Sequence, residues 1–374
     1  MLLIKTDRDN LLKPLQMVTG IVEKKQTMPI LANVIIESQD NLLTFLTSDK
    51  EMQITVRAGL NDENHKNFSL TVSAKKFQDI LRALDNDTEV SLFREEDKLL
   101  VKSSRNRFSL HTLPSDDFPR MVEDNACLTE ITMQQSVLKR LLNNVQYAIA
   151  DQDLRYYLNG VLLAISAGEI KTVGTDTHRL ALATAPSHID EGAAHEAILP
   201  RKTVQELLKL LKDDDDENNV RIEFFPKRVK FSFSDIIFVS RVIDGNYINY
   251  SRAIPSRNEK HLILNRVAFL QALQRVAILS NPNELYRGVR LVIDKGNLCV
   301  ISRNIEQEEA VAEMPVDYEN ESIDICLKIP HLLDLLNHVA EESFLFALAS
   351  ASDSVLVTIP GRDDFCYVIM PIKI

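Results

Sequence analysis

A chain of 374 residues with 45% hydrophobic and 26% charged residues can build two or three packed cores, and its composition is that of a globular protein. Its four cysteines, Cys127, Cys299, Cys326 and Cys366, are scattered with no CxxC or Cys/His pairing; this argues against a zinc site and a disulfide framework and predicts reduced, mostly buried thiols. The net charge of −11 counts against nucleic acid as a partner, and "MLLIKTDRDN" meets charge by Lys5, so it reads as neither signal peptide nor membrane span and a cytoplasmic protein is expected.

In chain order the pattern repeats three times, in blocks of roughly 125 residues. "RDNLLKPLQMVTGIV" (8 to 22), "MQQSVLKRLLNNVQYAIA" (133 to 150) and "NRVAFLQALQRVAILS" (265 to 280) carry apolar residues at helical spacing. Each is followed by two apolar runs around a polar turn, as in "NVIIESQDNLLTFLTSD", "NGVLLAISAGEIKTVGTD" and "RGVRLVIDKGNLCVISRN", which predicts β-hairpins. A second helix follows at 73 to 84, 200 to 212 and 329 to 340, with Ser73 as an N-cap and Pro200 and Pro330 at the openings of the other two. Further strands close each block. The expected fold is therefore α+β, with three similar domains at 1–125, 126–253 and 254–374. The acidic run 213 to 218 reads as a solvated loop.

"TVGTDTHRLA" (172 to 181) gathers an acid, an imidazole and a guanidinium within five positions, and a hydrolase using His178 and Asp176 is one reading. The repeat weakens it: "TSDKEMQI" and "ISRNIEQEEA" occupy the same place without the His and Arg. No nucleophile elbow, HExxH or Gly-rich phosphate loop accompanies it, and glycines number only 10. No catalytic residue, metal or cofactor is expected. The stretches 7–25, 74–84, 133–149, 201–212, 265–280 and 330–341 together carry +8, so the remainder carries −19. Six helices facing one way would offer a positive surface to phosphate, with Lys24, Lys25, Lys75, Lys76, Arg201 and the segment "QDLRYY" (152 to 157) as candidates. A protein-binding repeat scaffold is the remaining alternative.

Over nearly the whole length, "LLKPLQMVTG", "MPILANVIIE", "DFPRM", "QDLRYYLNG", "TDTHRLAL", "AILSN", "YRGVRL", "EQEEA" and "YVIMPIKI" resemble, in order, the bacterial DNA sliding clamp family, the beta subunit of DNA polymerase III. The resemblance implies a non-catalytic processivity factor for DNA replication: a cytoplasmic homodimer closing as a ring, helices inside and sheets outside, encircling double-stranded DNA without sequence specificity. Twelve helices at roughly 10 Å spacing make a circle about 38 Å across, wide enough for a duplex. Its partners would be the polymerase catalytic subunit, the clamp loader and other proteins carrying a clamp-binding peptide.

The residues so implied are Lys25, Gln152, Tyr156 and Tyr157 for DNA. For the partner-peptide pocket they are Leu158, Thr175, Thr177, His178, Arg179, Leu180, Ile248, Arg252, Ala253, Tyr286, Ser354, Val368, Ile369, Met370, Pro371, Ile372 and Ile374. For ring closure, head to tail, they are Lys76, Arg105, Arg107, Phe108 and Leu110 against Ile278, Leu279, Glu306, Glu308 and Glu309. Five positions depart from the family pattern: Thr177 stands for a glycine, Ile248 for a proline, Ala253 for a valine, Lys328 for an asparagine and His331 for a tyrosine. Thr at a glycine position is disfavoured wherever the backbone needs positive φ.

Overall fold

The computed structural model describes residues 1–23, 28–60, 66–121, 127–187, 194–213, 218–280 and 288–372. Lys24, Lys25, Tyr286, Ile374 and the heart of the acidic run lie outside them. The chain forms two compact units, residues 1–136 with 206–242 and residues 137–205 with 243–374, so the central repeat contributes to both.

The reason lies in strand pairing. In the first unit one sheet of twelve strands runs Leu2–Asp7, Glu89–Glu95, Lys98–Ser103, Asn106–Leu113, Phe68–Ser73, Asn33–Gln39, Leu42–Ser48, Met52–Gly59, Ile236–Arg241, Arg228–Phe233, Asn219–Phe225 and Thr129–Gln134. Met52–Gly59 of the first repeat pairs antiparallel with Ile236–Arg241 of the second, Ile54 opposite Phe238. In the second unit Arg179–Pro186 pairs in the same way with Arg362–Ile369, Leu180 opposite Val368, inside an eight-stranded sheet. A four-stranded sheet, Glu309–Pro315, Asn297–Arg303, Gly288–Asp294 and Ile323–Lys328, completes that unit. Main-chain hydrogen bonds thus fuse neighbouring repeats, whatever their side chains.

Six helices were expected and six are found among the described residues: α1 (Arg8–Val18), α2 (Ala74–Ala83), α3 (Gln135–Asn143), α4 (Arg201–Leu210), α5 (Arg266–Val276) and α6 (Ile329–His338). Their burial follows the apolar stripe. In α2, Ala74, Phe77, Gln78 and Leu81 are buried at i, i+3, i+4 and i+7. The expected helix start at Met133 is corrected: Met133 and Gln134 end the strand Thr129–Gln134, paired with Val220 and Asn219. Ser73 sits at the N-cap of α2 but its side chain makes no capping bond, whereas Asn265 of α5 accepts the Ala268 N–H at 3.1 Å. Only Cys326 of the four free thiols is buried, and Cys127 is exposed, so the expectation of buried cysteines holds for one.

Part of the positive charge on the helices is structural. The first residue of α1, Arg8, donates from Nε to the Leu81 carbonyl in the last turn of α2 at 2.7 Å. Arg201, first in α4, donates to the carbonyls of Ile149 and Ala150 at 2.6 and 2.9 Å, and Arg266, first in α5, to Leu336 in the last turn of α6 at 2.9 Å. In each repeat a guanidinium clasps carbonyls at or just beyond the end of the partnering helical segment, where charge and orphaned acceptors favour a cation. This corrects the reading of Arg201 as a phosphate contact: its charge is turned inward. Lys75 and Lys76 stay on the surface of α2, Lys75 half-buried and Lys76 exposed.

Candidate functional site

The turn at Thr175–Arg179 is built by its own residues. Asp176 Oδ1 accepts the backbone N–H of His178 at 2.8 Å and of Arg179 at 2.9 Å, while Thr175 Oγ1 accepts the N–H of Thr177 at 3.0 Å and donates to the Arg179 carbonyl at 2.6 Å. Thr177 has φ of 74°, a left-handed conformation that a β-branched residue resists. The first repeat makes the same turn from other residues: Asp49 Oδ1 accepts from Glu51 and Met52, Ser48 Oγ accepts from Lys50, and Lys50 has φ of 75°. The third repeat uses Asn304, which accepts the Glu308 N–H, with Gln307 at φ of 67°.

Catalytic geometry is not what this turn provides. Asp176 Oδ2 receives Arg179 Nε at 3.1 Å and lies 3.7 Å from His331 Nε2, and His178 is exposed with its backbone, not its ring, bound to Asp176. Arg179 is only 10% exposed at its side chain and also bonds Asp334 Oδ2 on α6 at 2.5 Å. Burial penalises its charge, but the Asp334 and Asp176 carboxylates reverse that and raise its pKa. His331 is held neutral down to about pH 3, first by burial and then by the Arg179 charge.

On the eight-stranded sheet, residues alternate between faces. Arg179, Ala181 and Ala183 take one side and Leu180 and Leu182 the other. Register then aligns Leu162 with Val173, Val173 with Leu182, Leu180 with Val368 and Val368 with Leu356. Leu162, Val173, Leu180, Ile198 and Val368 form a buried cluster, and Tyr157, Ala164, Leu182, Ile243, Tyr247, Tyr250, Ile254 and Leu356 pack against it partly exposed. The Tyr247 hydroxyl donates to the Val173 carbonyl at 3.3 Å, holding the segment after Ile243 over the sheet. The result is an apolar floor with an aromatic and aliphatic rim, open to a ligand with apolar side chains.

Of the expected pocket residues, Leu180 and Val368 are in this cluster. Leu158, Thr175 and Ile369 are buried, Ile248, Ser354, Pro371 and Ile372 half-buried, and Arg252, Ala253 and Met370 exposed. The Arg179 side chain is instead on the opposite face, toward α6. Leu182, Tyr247, Tyr250, Ile254 and Leu356 were missed; the alternation that brings Leu182 beside Leu180 was readable, whereas the other four arrive through pairings distant in sequence. The tail is anchored, with the Met370 N–H on the His178 carbonyl and the Ile372 N–H on the Cys326 carbonyl, both at 2.9 Å.

Beside this face, Gln152, Tyr156 and Tyr157 share one loop. Gln152 is exposed with φ of 53°, Tyr156 is 60% exposed, and Tyr157 meets it edge-on with centroids 6.2 Å apart. Leu154 between them is 99% exposed. The loop is held by Asn159, bonded to Asp153 at N and O, and by Arg155 on the Asp153 carboxylate, which it keeps ionised down to about pH 2.

The closure residues fall on two open edges, one in each unit. Asn106–Leu113 pairs with Phe68–Ser73 only through Leu113 and Thr112, so among the described residues 106–111 has one bare edge. Phe108 is half-buried, Leu110 is 8% exposed, and Arg105, Arg107 and Lys76 are exposed, Arg107 lying 3.5 Å from Glu95. In the other unit Glu309–Pro315 is an edge strand. Near it Ile278 is 80% exposed, Leu279 is half-buried, and Glu306, Glu308 and Glu309 are exposed, Glu308 bonded to Asn304 and Glu309 at 4.0 Å from Arg303.

One group of possible metal ligands exists among the described residues, Cys127, Glu130 and Glu223. Both carboxylates already have cations, Arg221 on Glu130 at 2.5 Å and Lys230 on Glu223 at 3.2 Å.

Solved structures match the whole chain. A DNA polymerase sliding clamp from Pseudomonas aeruginosa has a TM-score of 0.93 at 36% identity, covering 100% of both chains. The sliding clamp of the same organism bound to griselimycin reaches 0.95 at 37%, also over 100% of both. The molecule is thus of the class of DNA polymerase sliding clamps.

Family models for the N-terminal, central and C-terminal domains of the DNA polymerase III beta subunit match residues 2–122, 132–249 and 251–373. The beta sliding clamp of Pseudomonas putida is 40% identical over 367 residues, 98% of each chain, and that of Escherichia coli K12 is 37% identical over 369 residues, 98% of this chain and 99% of that one. The chain belongs to the DNA polymerase III beta subunit family.

Proposed function

We propose that this sliding clamp works as a non-catalytic processivity factor: two chains close a ring around duplex DNA, with three domains each at 1–125, 126–253 and 254–374, and carry polymerases and other partners on peptides docked in each chain. The observation that carries the partner reading is the apolar cluster of Leu162, Val173, Leu180, Ile198 and Val368 with its half-exposed rim. Seating two partner side chains there releases roughly 3–6 kcal/mol, less the cost of ordering the peptide, which suits micromolar, exchangeable binding.

Closure joins the bare edge at 106–111 to the edge strand Glu309–Pro315 of a second copy, Arg105 and Arg107 facing Glu306, Glu308 and Glu309. Exposed ion pairs add about 0–1 kcal/mol each, so Phe108, Leu110, Ile278 and Leu279 carry most of the closure. Gln152, Tyr156 and Tyr157, and Lys25 outside the described residues, contact DNA through sugar and phosphate, loosely enough to slide. The absence of a nucleophile–base pair at Asp176 and His178 in this fold speaks for a binding role and against hydrolysis.

The test is topological. Protein loaded onto nicked circular DNA by its cognate loader runs off once the circle is cut; retention on the linear form refutes encirclement. Light scattering on wild type is expected to give twice the chain mass of 42.4 kDa, and Ile278→Ala with Leu279→Ala to shift it toward one chain.

A further inference from the structure

Within the first unit, a cavity of about 280 Å³ opens between α1, the end of α4 and the turn Phe233–Ile236. Pro14, Met17, Phe233 and Ile236 give it apolar walls, and Arg57 and Lys212 stand at its rim. Both cations are exposed, and among the described residues neither has a side-chain partner. Gln135 lines the same cavity. Its side chain is 1% exposed, its Oε1 accepts the Lys212 N–H at 3.3 Å, and its Nε2 has no acceptor. The bond from Lys212 fixes which end of the amide is the oxygen, so the orphan is a donor. A buried donor without a partner destabilises the fold, and an incoming acceptor recovers that loss.

The other unit has a cavity of about 510 Å³ at the matching place, but its charges there are paired with one another. Through the matching strand registers, Ile236 opposite Val56 and Phe365 opposite Ala183, Asp364 takes the position of Asp235, and along the helices Arg140 that of Lys13. There Arg140 bonds Asp364 at 2.5 Å, and Arg362 bonds it at 2.9 Å. In the first unit Lys13 turns to Asp9 at 3.3 Å and Lys209 to Glu206 at 2.7 Å, and among the described residues no cation pairs with Asp235.

We infer that this cavity is a docking site for the C-terminal residue of a partner chain, an apolar side chain entering the slot while its carboxylate meets Lys212 and Arg57 and accepts from Gln135 Nε2. The volume suits one large side chain and its carboxylate, and the four cations lining the slot, Lys13, Arg57, Lys209 and Lys212, outweigh the Asp235 carboxylate there and favour the free acid. This site is separate from the face of the eight-stranded sheet and does not rest on the reading of that face.

The experiment is fluorescence anisotropy on the full chain with fluorescein-labelled Gly-Ser-Gly-Leu-Phe, as free acid and as C-terminal amide. Expected are binding of the acid, about tenfold weaker binding of the amide, and about tenfold losses for Lys212→Ala and Gln135→Glu, with less than about a twofold change for Lys227→Ala, an exposed turn residue that does not line the cavity. Lys212 is exposed, so the circular dichroism melt of Lys212→Ala should stay near wild type, which keeps the test independent of any loss of stability from the carboxyl that Gln135→Glu places at a buried position. Equal binding of acid and amide, no binding at about 1 mM, or a loss that follows Lys227→Ala instead of Lys212→Ala overturns the inference. So does a Lys212→Ala variant that keeps the peptide but loses a 20-base-pair duplex bound by wild type, which would assign the cations to phosphate.

Discussion

The sheet face beside Asp49 in the first unit and the face beside Asp176 in the second share a backbone and differ in side chains. Gln53 opposite Val239 and Thr55 opposite Leu46 take the registers of Leu180 opposite Val368 and Leu182 opposite Val173. At the first face, Ile30, Ile35, Leu46 and Phe118 are all buried, with Gln53 Oε1 accepting the Met121 N–H at 2.8 Å and Glu37 paired with Arg120. At the second, Tyr157, Leu182, Tyr247 and Leu356 remain half-exposed over the floor. One face is charged and polar around a cavity of about 550 Å³, the other apolar. On the proposed function, binding capacity lies in a handful of side chains on a frame that the repeat supplies twice.

Exchanging residues between the two faces separates what the side chains contribute from what the shared backbone does. The largest effect is expected from Arg179→Met, which copies Met52 at the matching position. It leaves the Asp176 and Asp334 carboxylates without their shared cation and should cost about 3 kcal/mol in urea denaturation; a loss under about 1 kcal/mol would mean the ion network does not hold the turn. Next comes Leu182→Thr combined with Leu356→Lys, copying Thr55 and Lys230. Partner-peptide binding should weaken roughly 30-fold, about 2 kcal/mol, with little change in melting because both positions are only partly buried. An unchanged dissociation constant would move the peptide elsewhere.

A smaller effect concerns pH. His331 has a folded pKa of about 3, depressed by burial, against about 6.5 unfolded. Its contribution is complete above the unfolded value and is lost progressively as pH falls toward the folded one, because the unfolded chain binds the proton first. Wild type should lose about 1.6 kcal/mol more than His331→Tyr between about pH 6.5 and pH 5. Parallel stability curves for the two proteins would refute the assignment. The smallest effect is Thr177→Gly, expected to gain about 0.5–1 kcal/mol in melting experiments by relieving positive φ, against less for Lys50→Gly, since Lys is not β-branched. Equal gains at both turns would show that strain there does not depend on the side chain.

Much of this was readable from the sequence. The triple succession of helix, hairpin, helix and strands follows local periodicity, and the alignment of Asp49 with Asp176 correctly took the conspicuous acid and imidazole for parts of a turn. Contacts distant in the chain were hidden. Arg179 reaches Asp334, 155 positions later, and nothing near either residue announces the other. The guanidinium clasps of Arg8, Arg201 and Arg266 looked like surface charge for the same reason. Division of the central repeat between two units was equally unannounced, because strand pairing, not composition, draws that line.

The pairing of Arg179–Pro186 with Arg362–Ile369 also bears on how such a site can change over time. Peptide N–H and C=O groups make that seam, and they are common to every residue but proline. A lineage can therefore rewrite Leu182, Leu356 or the tyrosines to suit a new partner without loosening the join that carries them. Inheritance of the scaffold and invention at its surface are uncoupled, and the charged face beside Asp49 is what the same scaffold becomes under a different choice.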